Sequence, residues 1–173
     1  IIELKEIKKL TIFIKNKLNK DFKIVIKKNK SFSNLNFKKN PNIMGILNLT
    51  PDSFSDGGKF NKKNKGLDHA NNLMKLGANI IDIGGESTRP GSKSISQKEE
   101  WNRVEKTIKQ IKKKIPLSLD TRKSEIMNEG IKLGVRLIND VSGLSYDKKT
   151  IDVLKKYKIP FVIHHSQGTP ENM

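Results

Sequence analysis

The sequence predicts an α/β fold, a (β/α)8 TIM barrel of which about five strands are present, preceded by a hairpin-like N-terminal extension. From residue 43 onward, short apolar runs alternate with helical patterns, which is typical of a parallel sheet. Glycine or proline stands at each passage from helix to strand. Polar residues follow every apolar run, whereas a doubly wound sheet usually carries one glycine-rich phosphate loop. These observations favour the barrel.

Nine predicted elements alternate as strand and helix. They are Ile43–Leu47, Lys65–Leu76, Asn79–Ile83, Gln97–Lys113, Leu117–Asp120, Lys123–Leu133, Val135–Asn139, Lys148–Tyr157 and Phe161–His165. Gly77, Pro116, Gly134 and Pro160 mark the four helix-to-strand passages, because these residue types stop a helix or begin a strand. The polar residues after the five strands are Asn48, Glu86–Arg89, Asp120–Arg122, Asn139–Asp140 and His164–Gln167.

Residues 1–41 form a basic extension, and residues 42–173 form the barrel part. Two short runs rich in β-branched residues, Leu10–Ile14 and Phe22–Ile26, predict a hairpin whose connection is 16–20. The stretch 28–42 is rich in Lys, Asn and Ser and reads as an exposed connection.

The barrel is expected to be incomplete, because the chain has 173 residues and a full barrel takes about 250. An open sheet of five strands leaves an apolar face and an unpaired edge exposed. We therefore expect this chain to be marginal or insoluble when expressed alone. A cooperative thermal melt of a monomer would contradict that expectation.

The composition excludes several classes of function. The chain has no cysteine, so it has neither disulfides nor a thiolate metal site. No apolar run approaches the roughly 20 residues of a membrane-spanning helix, and a cytoplasmic location is expected. The net charge is +17, but lysine alternates with asparagine and isoleucine rather than with arginine and aromatic residues. That pattern indicates solvated lysines and neither a nucleic-acid nor a membrane partner.

Two loops carry most of the chemistry. Asn48–Gly58 and Gly84–Gly91 each follow an apolar strand directly, so both lie at the same end of the sheet. Their amide and hydroxyl oxygens suit a hard cation, and their arginine suits phosphate. Their glycines let backbone N–H groups approach a ligand closely. The two loops therefore predict a site for a small, highly charged ligand.

The segments 43–58 and 78–92 resemble the two signature segments of dihydropteroate synthase. The resemblance continues through 117–121, 138–140 and 165–170, and so covers about 42–173. It implies a transferase of folate biosynthesis that joins p-aminobenzoate to 6-hydroxymethyl-7,8-dihydropterin pyrophosphate, forming 7,8-dihydropteroate and pyrophosphate. It also implies Mg²⁺ as cofactor, small molecules as substrates and a homodimer when the barrel is complete.

The resemblance gives the loop residues roles that their chemistry suits. Asn48 is implied to be catalytic and to bind Mg²⁺ with pyrophosphate, since a side-chain carbonyl is a hard oxygen ligand. Phe54 is implied in the aminobenzoate pocket. Thr88, Arg89 and Pro90 are implied in anion and aminobenzoate binding, with Arg89 catalytic and able to contact phosphate bidentately.

Asp120 and Asn139 end the third and fourth predicted strands, and the resemblance implies that both bind the pterin. A carboxylate and an amide can match the donors and acceptors of an amino-pyrimidinone edge. Asp82 and Asp140 are expected to support the barrel through hydrogen bonds and to make no ligand contact.

The sequence departs from the family pattern in two ways. Residues 163–168 are Ile-His-His-Ser-Gln-Gly where the family commonly shows Met-His-Met-Gln-Gly, so His164 and Ser166 replace apolar residues near the pterin pocket. The family also draws an Asp, a Lys, an Arg and a His from later strands. The chain alone is therefore expected to be inactive.

Three alternatives stay open at this level. A folate-dependent methyltransferase barrel would use a similar pterin pocket but has no need of the Asn48 and Arg89 loops. A non-catalytic pterin-binding remnant would explain the missing strands. An RNA-binding module would show strongly salt-dependent binding.

Overall fold

A computed structural model of the chain describes residues 16–19, 31–32, 35–36, 41–50, 64–88 and 92–164. Residues 16–19 are helical and belong to α1. Two short strands follow, β1 (Ser31–Phe32) and β2 (Leu35–Asn36), which pair antiparallel. The predicted connection of the N-terminal hairpin is thus a helical turn. The two strands predicted for that hairpin lie outside the described residues, so the hairpin stays a prediction.

The main sheet has five parallel strands in the order β3-β4-β5-β6-β7, so each strand lies beside the strand that precedes it in sequence. This sequential order is that of a barrel wall. The strands are β3 (Met44–Asn48), β4 (Ile80–Gly84), β5 (Leu117–Asp120), β6 (Leu137–Asp140) and β7 (Phe161–Ile163). The connecting helices are α2 (Lys65–Lys75), α3 (Gln97–Ile111), α4 (Ser124–Leu133) and α5 (Thr150–Tyr157). All nine predicted elements are confirmed, with bounds that differ by at most two residues.

The breakers in the sequence end two of the helices. Gly77 after α2 and Gly134 after α4 have φ angles of 97° and 110°, in the left-handed region that glycine favours. At the other end, Ser96 caps the N-terminus of α3, and its hydroxyl accepts a hydrogen bond from the Glu99 amide at 3.2 Å. No helix in these stretches is long and apolar enough to cross a membrane.

The hydrophobic core lies between the outer face of the sheet and the helices. Its fully buried members include Ile81, Ile83 and Leu119 from the strands, which belong to one cluster with Val104 and Ile108 of α3. Strand residues alternate between the two faces of a sheet. The residues between these core positions therefore point to the inner face, which is the face that a complete barrel encloses.

The inner face and the edge strands remain partly exposed. Ile46 on β3 is 63% exposed, and Ile163 on β7 is 60% exposed. In the described part of the chain, β3 and β7 each pair with a single neighbouring strand. The predicted exposure of apolar surface is thus confirmed. The candidate site lies at the carboxyl ends of the strands of this sheet.

Candidate active site

One layer of the inner face brings together three predicted site residues. The strand register aligns Asn48 with Gly84, Gly84 with Asp120, and Asp120 with Asn139. Gly84 leaves room between its neighbours: a Cβ there would lie 3.1 Å from Asn48 Oδ1 and 3.5 Å from Asp120 Oδ2. The glycine therefore lets an amide and a carboxylate approach the same point at the mouth of the sheet.

A second group of side chains forms a hydrogen-bonded row across the inner face. Asn139 Nδ2 donates to Asp82 Oδ2 at 2.9 Å. Its Oδ1 lies 2.8 Å from His164 Nε2, and this oxygen can only accept, so the histidine donates. The row fixes the orientation of the Asn139 amide.

Asp82 takes part in the site more directly than the sequence suggested. Its expected hydrogen-bonding role is confirmed, but its partner is the predicted pterin residue Asn139. The sequence indicates this position, because Asp82 stands between Ile81 and Ile83, two core residues of the outer face, and must therefore point to the inner face. Asp140, in contrast, points into its own turn and accepts from the Ser142 and Leu144 amides at 2.8 and 3.2 Å. Its expected structural role is confirmed.

The inner carboxylates lie in an environment that favours their protonated forms. Burial raises the pKa of Asp120 to about 7, reinforced by the negative charges of Asp82, Glu100, Asp140 and Glu86. Burial also raises the pKa of Asp82. Within the described residues, Asp82 Oδ1 and Asp120 Oδ1 are buried and have no hydrogen-bond partner. A buried oxygen without a hydrogen-bond partner lowers the stability of the fold, and a ligand that donates a hydrogen bond to it would remove that cost.

In the structure the second loop is part of the connection between β4 and α3, residues 85–96, and this connection is described at both of its ends. Thr88 is half-buried just after β4, whereas Arg89 and Pro90 lie outside the described residues, as does Phe54 of the first loop. Two residues before Thr88, Glu86 belongs to a buried cluster of charged residues. The sequence pattern did not predict this cluster. Glu86 accepts from Lys123 Nζ at 2.9 Å and from Arg122 Nε at 2.9 Å.

The described residues include no cluster of three or more His, Cys, Asp and Glu side chains suited to a metal. Asn48 nevertheless fits the mode in which Mg²⁺ is held by one or two protein oxygens together with substrate phosphates. Its side chain is exposed at the mouth, with Asp120 across Gly84. Asn48 could therefore hold a cation that arrives with its substrate.

Comparison with known proteins settles the family. The family model described as "Pterin binding enzyme" matches residues 44–173, which is most of the chain. The chain belongs to the pterin-binding enzyme family. The inner-face carboxylates and amide of this pterin-binding enzyme lie at the end of the barrel where TIM-barrel active sites are found.

Relatives of known name agree with the family and with the fold. The dihydropteroate synthase of Bacillus subtilis is 45% identical over 137 residues, which cover 78% of this chain and 48% of the relative. The crystal structure of a Clostridium difficile dihydropteroate synthase in the presence of pteroic acid is 47% identical, with a TM-score of 0.70 over 78% of this chain and 52% of that one. The Xanthomonas albilineans dihydropteroate synthase with 4-aminobenzoic acid is 39% identical, with a TM-score of 0.69 over 75% and 48% of the two chains.

This pterin-binding enzyme spans about half the length of the relatives it matches. The barrel class expected from the sequence is confirmed, and the described strands β3 to β7 form part of its wall. The resemblance to dihydropteroate synthase is confirmed at the level of sequence and fold.

Proposed function

We propose that the protein is a dihydropteroate synthase. It joins p-aminobenzoate to 6-hydroxymethyl-7,8-dihydropterin pyrophosphate in the cytoplasm, releasing pyrophosphate and 7,8-dihydropteroate. The observation that carries the proposal is the inner-face group of Asp82, Asp120 and Asn139, with two buried carboxylate oxygens that lack a partner among the described residues. The identity of 45% to an enzyme of that name supports it.

The inner-face group suits the flat, hydrogen-bonding edge of a pterin. The unpaired oxygens of Asp82 and Asp120 can accept hydrogen bonds from the ring amino and N–H groups. Asn139 is held by Asp82 and His164, so its amide needs no reorganisation on binding. A ring without those donors would leave the buried oxygens unpaired and would bind poorly.

The mouth residues suit the leaving group. Asn48 would hold Mg²⁺ together with the pyrophosphate, and the cation would stabilise the negative charge that builds up on the departing phosphate oxygens. Thr88 can donate a hydroxyl hydrogen bond to a phosphate oxygen, and Arg89 can donate two parallel N–H bonds. Asn48 ends β3, and Thr88 and Arg89 follow β4, the neighbouring strand of the sheet.

The reaction then requires no protein nucleophile. As the methylene C–O bond breaks, the pyrophosphate leaves with both bonding electrons, and the methylene carbon attached to the pterin becomes electron-poor. The amine of p-aminobenzoate forms a C–N bond to that carbon and loses a proton. Asp82, Asp120 and Asn139 hold the pterin in place for this attack. Phe54 and Pro90 are proposed to line the aminobenzoate side and to exclude water.

The test uses the full-length enzyme that contains this chain. Pyrophosphate release that requires both substrates is expected, and Asn48→Ala should raise the Mg²⁺ concentration needed for half-maximal rate. Asp120→Ala should weaken binding of 6-hydroxymethylpterin at least tenfold by calorimetry, whereas Asp152→Ala on the exposed face of α5 should not. Absence of aminobenzoate-dependent pyrophosphate release would refute the proposal; methyl transfer from a folate would replace it. A homodimer is proposed for the complete enzyme, with sedimentation analysis as its test.

A further inference from the structure

A network of buried charges lies beneath the second loop. Lys123, in the loop after β5, donates to Glu86 Oε1 at 2.9 Å and to Glu100 Oε2 at 2.6 Å. The three side chains are at most 4% exposed. On either side, Arg122 Nε donates to Glu86 Oε2 at 2.9 Å, and Thr121 Oγ1 donates to Glu100 Oε1 at 2.5 Å. The guanidinium of Arg122 also stacks on the Tyr146 ring, 4.0 Å from its centre.

Glu86 connects the network to both ends of the second loop. It leaves β4 two residues after Gly84, and its Oε1 accepts from the Ile95 amide at 3.0 Å and from Ser94 Oγ at 3.2 Å. Nearer the tip, Ser92 Oγ donates to the Ser87 carbonyl at 2.7 Å. These hydrogen bonds join the two sides of the loop at two places, Ser87 with Ser92 and Glu86 with Ser94 and Ile95. The described parts of the loop on its two sides, 85–88 and 92–95, are therefore tied to each other.

The loop base also packs closely on α3. Arg103 Nη1 donates to the Gly85 carbonyl at 2.8 Å. A Cβ at Gly85 would lie 2.9 Å from Val104 Cγ1 and 3.0 Å from the Glu100 backbone carbonyl, so only glycine permits this approach. Glu100 therefore supports the loop through contact and also through its bond to Lys123.

The charges balance within the network. Two carboxylates, Glu86 and Glu100, meet two cations, Lys123 and Arg122. A buried ion of this kind is tolerated when it is paired and its hydrogen bonds are satisfied, and removal of one partner leaves an uncompensated charge in the interior. Lys123 contacts both carboxylates and Glu86 contacts both cations, so these two residues form the centre of the network.

We propose that Lys123 and Glu86 are positioning residues, which hold the base of the second loop rigid so that Thr88 is presented at a fixed distance from Asp120. Lys123 follows Asp120 by three residues, and Glu86 precedes Thr88 by two. Their ion pair thus links the pterin residue to the loop with no ligand contact of its own. The catalytic consequence rests on the proposed function, whereas the anchoring of the loop does not.

The test compares Lys123→Met, Lys123→Arg and Ser92→Ala in the full-length enzyme. Hydrogen–deuterium exchange of amides 85–95 should accelerate at least tenfold in Lys123→Met and at least threefold in Ser92→Ala, with α2 and α5 unchanged. Lys123→Arg should restore most of the protection. Lys109→Met, which removes an exposed lysine from α3, is the matched control and should change nothing. In the same Lys123→Met enzyme, the KM for p-aminobenzoate should rise at least tenfold while the Kd for 6-hydroxymethylpterin stays within twofold.

Two results would overturn the inference. One is unchanged exchange at 85–95 in a folded Lys123→Met protein. The other is an equal acceleration in every segment, which would make the network a general stabiliser. If Lys123→Met does not fold, Ser92→Ala decides, because it removes only the bond across the loop neck. The exchange measurement needs no substrate, so it stands even if the wild-type enzyme releases no pyrophosphate.

Discussion

At the scale of single residues, the barrel interior changes the pKa of Asp120. Burial and four neighbouring carboxylates raise its pKa to about 7 in the folded chain. The unfolded value is about 3.9. Because the folded pKa is the higher one, Asp120 favours the folded state fully below pH 4, and that contribution is lost as the pH rises towards 7. At neutral pH the ionised Asp120 carboxylate is therefore buried at a cost in the free energy of unfolding.

Asp120→Asn should remove this pH dependence, since the amide resembles the protonated acid. We expect the free energy of unfolding of Asp120→Asn, relative to wild type, to increase by about 3 kcal/mol between pH 5 and pH 8. Urea unfolding of the full-length enzyme at both pH values measures it. Asp152→Asn, at an exposed position on α5, is the control. A constant difference across the range would contradict the pKa assignment.

His164 makes a second prediction at this scale. Its Nε2 donates to Asn139 Oδ1 at 2.8 Å, a contact that a methionine cannot make. His164→Met should leave the Asn139 amide held by Asp82 alone, and the loss of about 1 kcal/mol corresponds to roughly fivefold weaker pterin binding. Calorimetry with 6-hydroxymethylpterin measures the change, with His69→Met on α2 as the control. Unaltered or tighter binding would show that the histidine does not orient the amide.

At the scale of elements, Glu86 connects the second loop to α3 through Lys123, which also donates to Glu100. Burial alone would raise the pKa of Glu86, but Arg122, the Ile95 amide and Lys123 outweigh it and lower the pKa to about 2. The folded pKa lies below the ordinary value of 4.5, so the stabilisation is present above pH 4.5 and is lost as the pH falls towards 2.

Glu86→Gln should therefore destabilise the protein most at neutral pH. The expected loss in free energy of unfolding is on the order of 3 kcal/mol at pH 7 and shrinks as the pH falls below 4. Denaturant unfolding at pH 7, 4 and 3 measures it. Glu105→Gln changes an exposed pair on α3 and provides the control, with a change expected below about 0.5 kcal/mol. A loss that does not vary with pH would point to altered packing instead.

These elements also show what the sequence could and could not predict. Strands β3 to β7 and helices α2 to α5 were predictable because apolar periodicity and the breakers agreed along the chain. Pro160 marked the end of α5, but the left-handed turn itself was not predictable, since Lys158 adopts φ 51° without being glycine. The Glu86 network was not predictable, because Lys123 lies 37 residues away from Glu86 and meets it only through the pairing of β4 with β5.

At the scale of the whole molecule, the open sheet is the feature with the largest consequence. The inner face of β3 and the outer face of β7 expose large apolar side chains, with Ile46 at 63% and Ile163 at 60%. Surfaces of this kind promote association when nothing covers them. β3 and β7 are also the two edge strands of the described sheet, where further strands would complete the barrel wall.

We therefore expect the 173-residue chain alone to associate and to form no dihydropteroate. Size-exclusion chromatography and binding of a hydrophobic dye measure the first point, and a product assay measures the second. The full-length enzyme is the control. A monomer with a cooperative thermal transition would contradict the expectation, and so would turnover by the isolated chain.

The sequential order of the strands also bears on how the chain folds during synthesis. Each strand pairs with the one made just before it, as Ile81 does with Leu117 and Ile138 with Phe161. Every new βα unit can then dock on structure that has already left the ribosome, without waiting for a distant partner. The edge of β7 would serve as the growing front of the nascent barrel, and a translational pause after Ile163 would leave that front open to other chains.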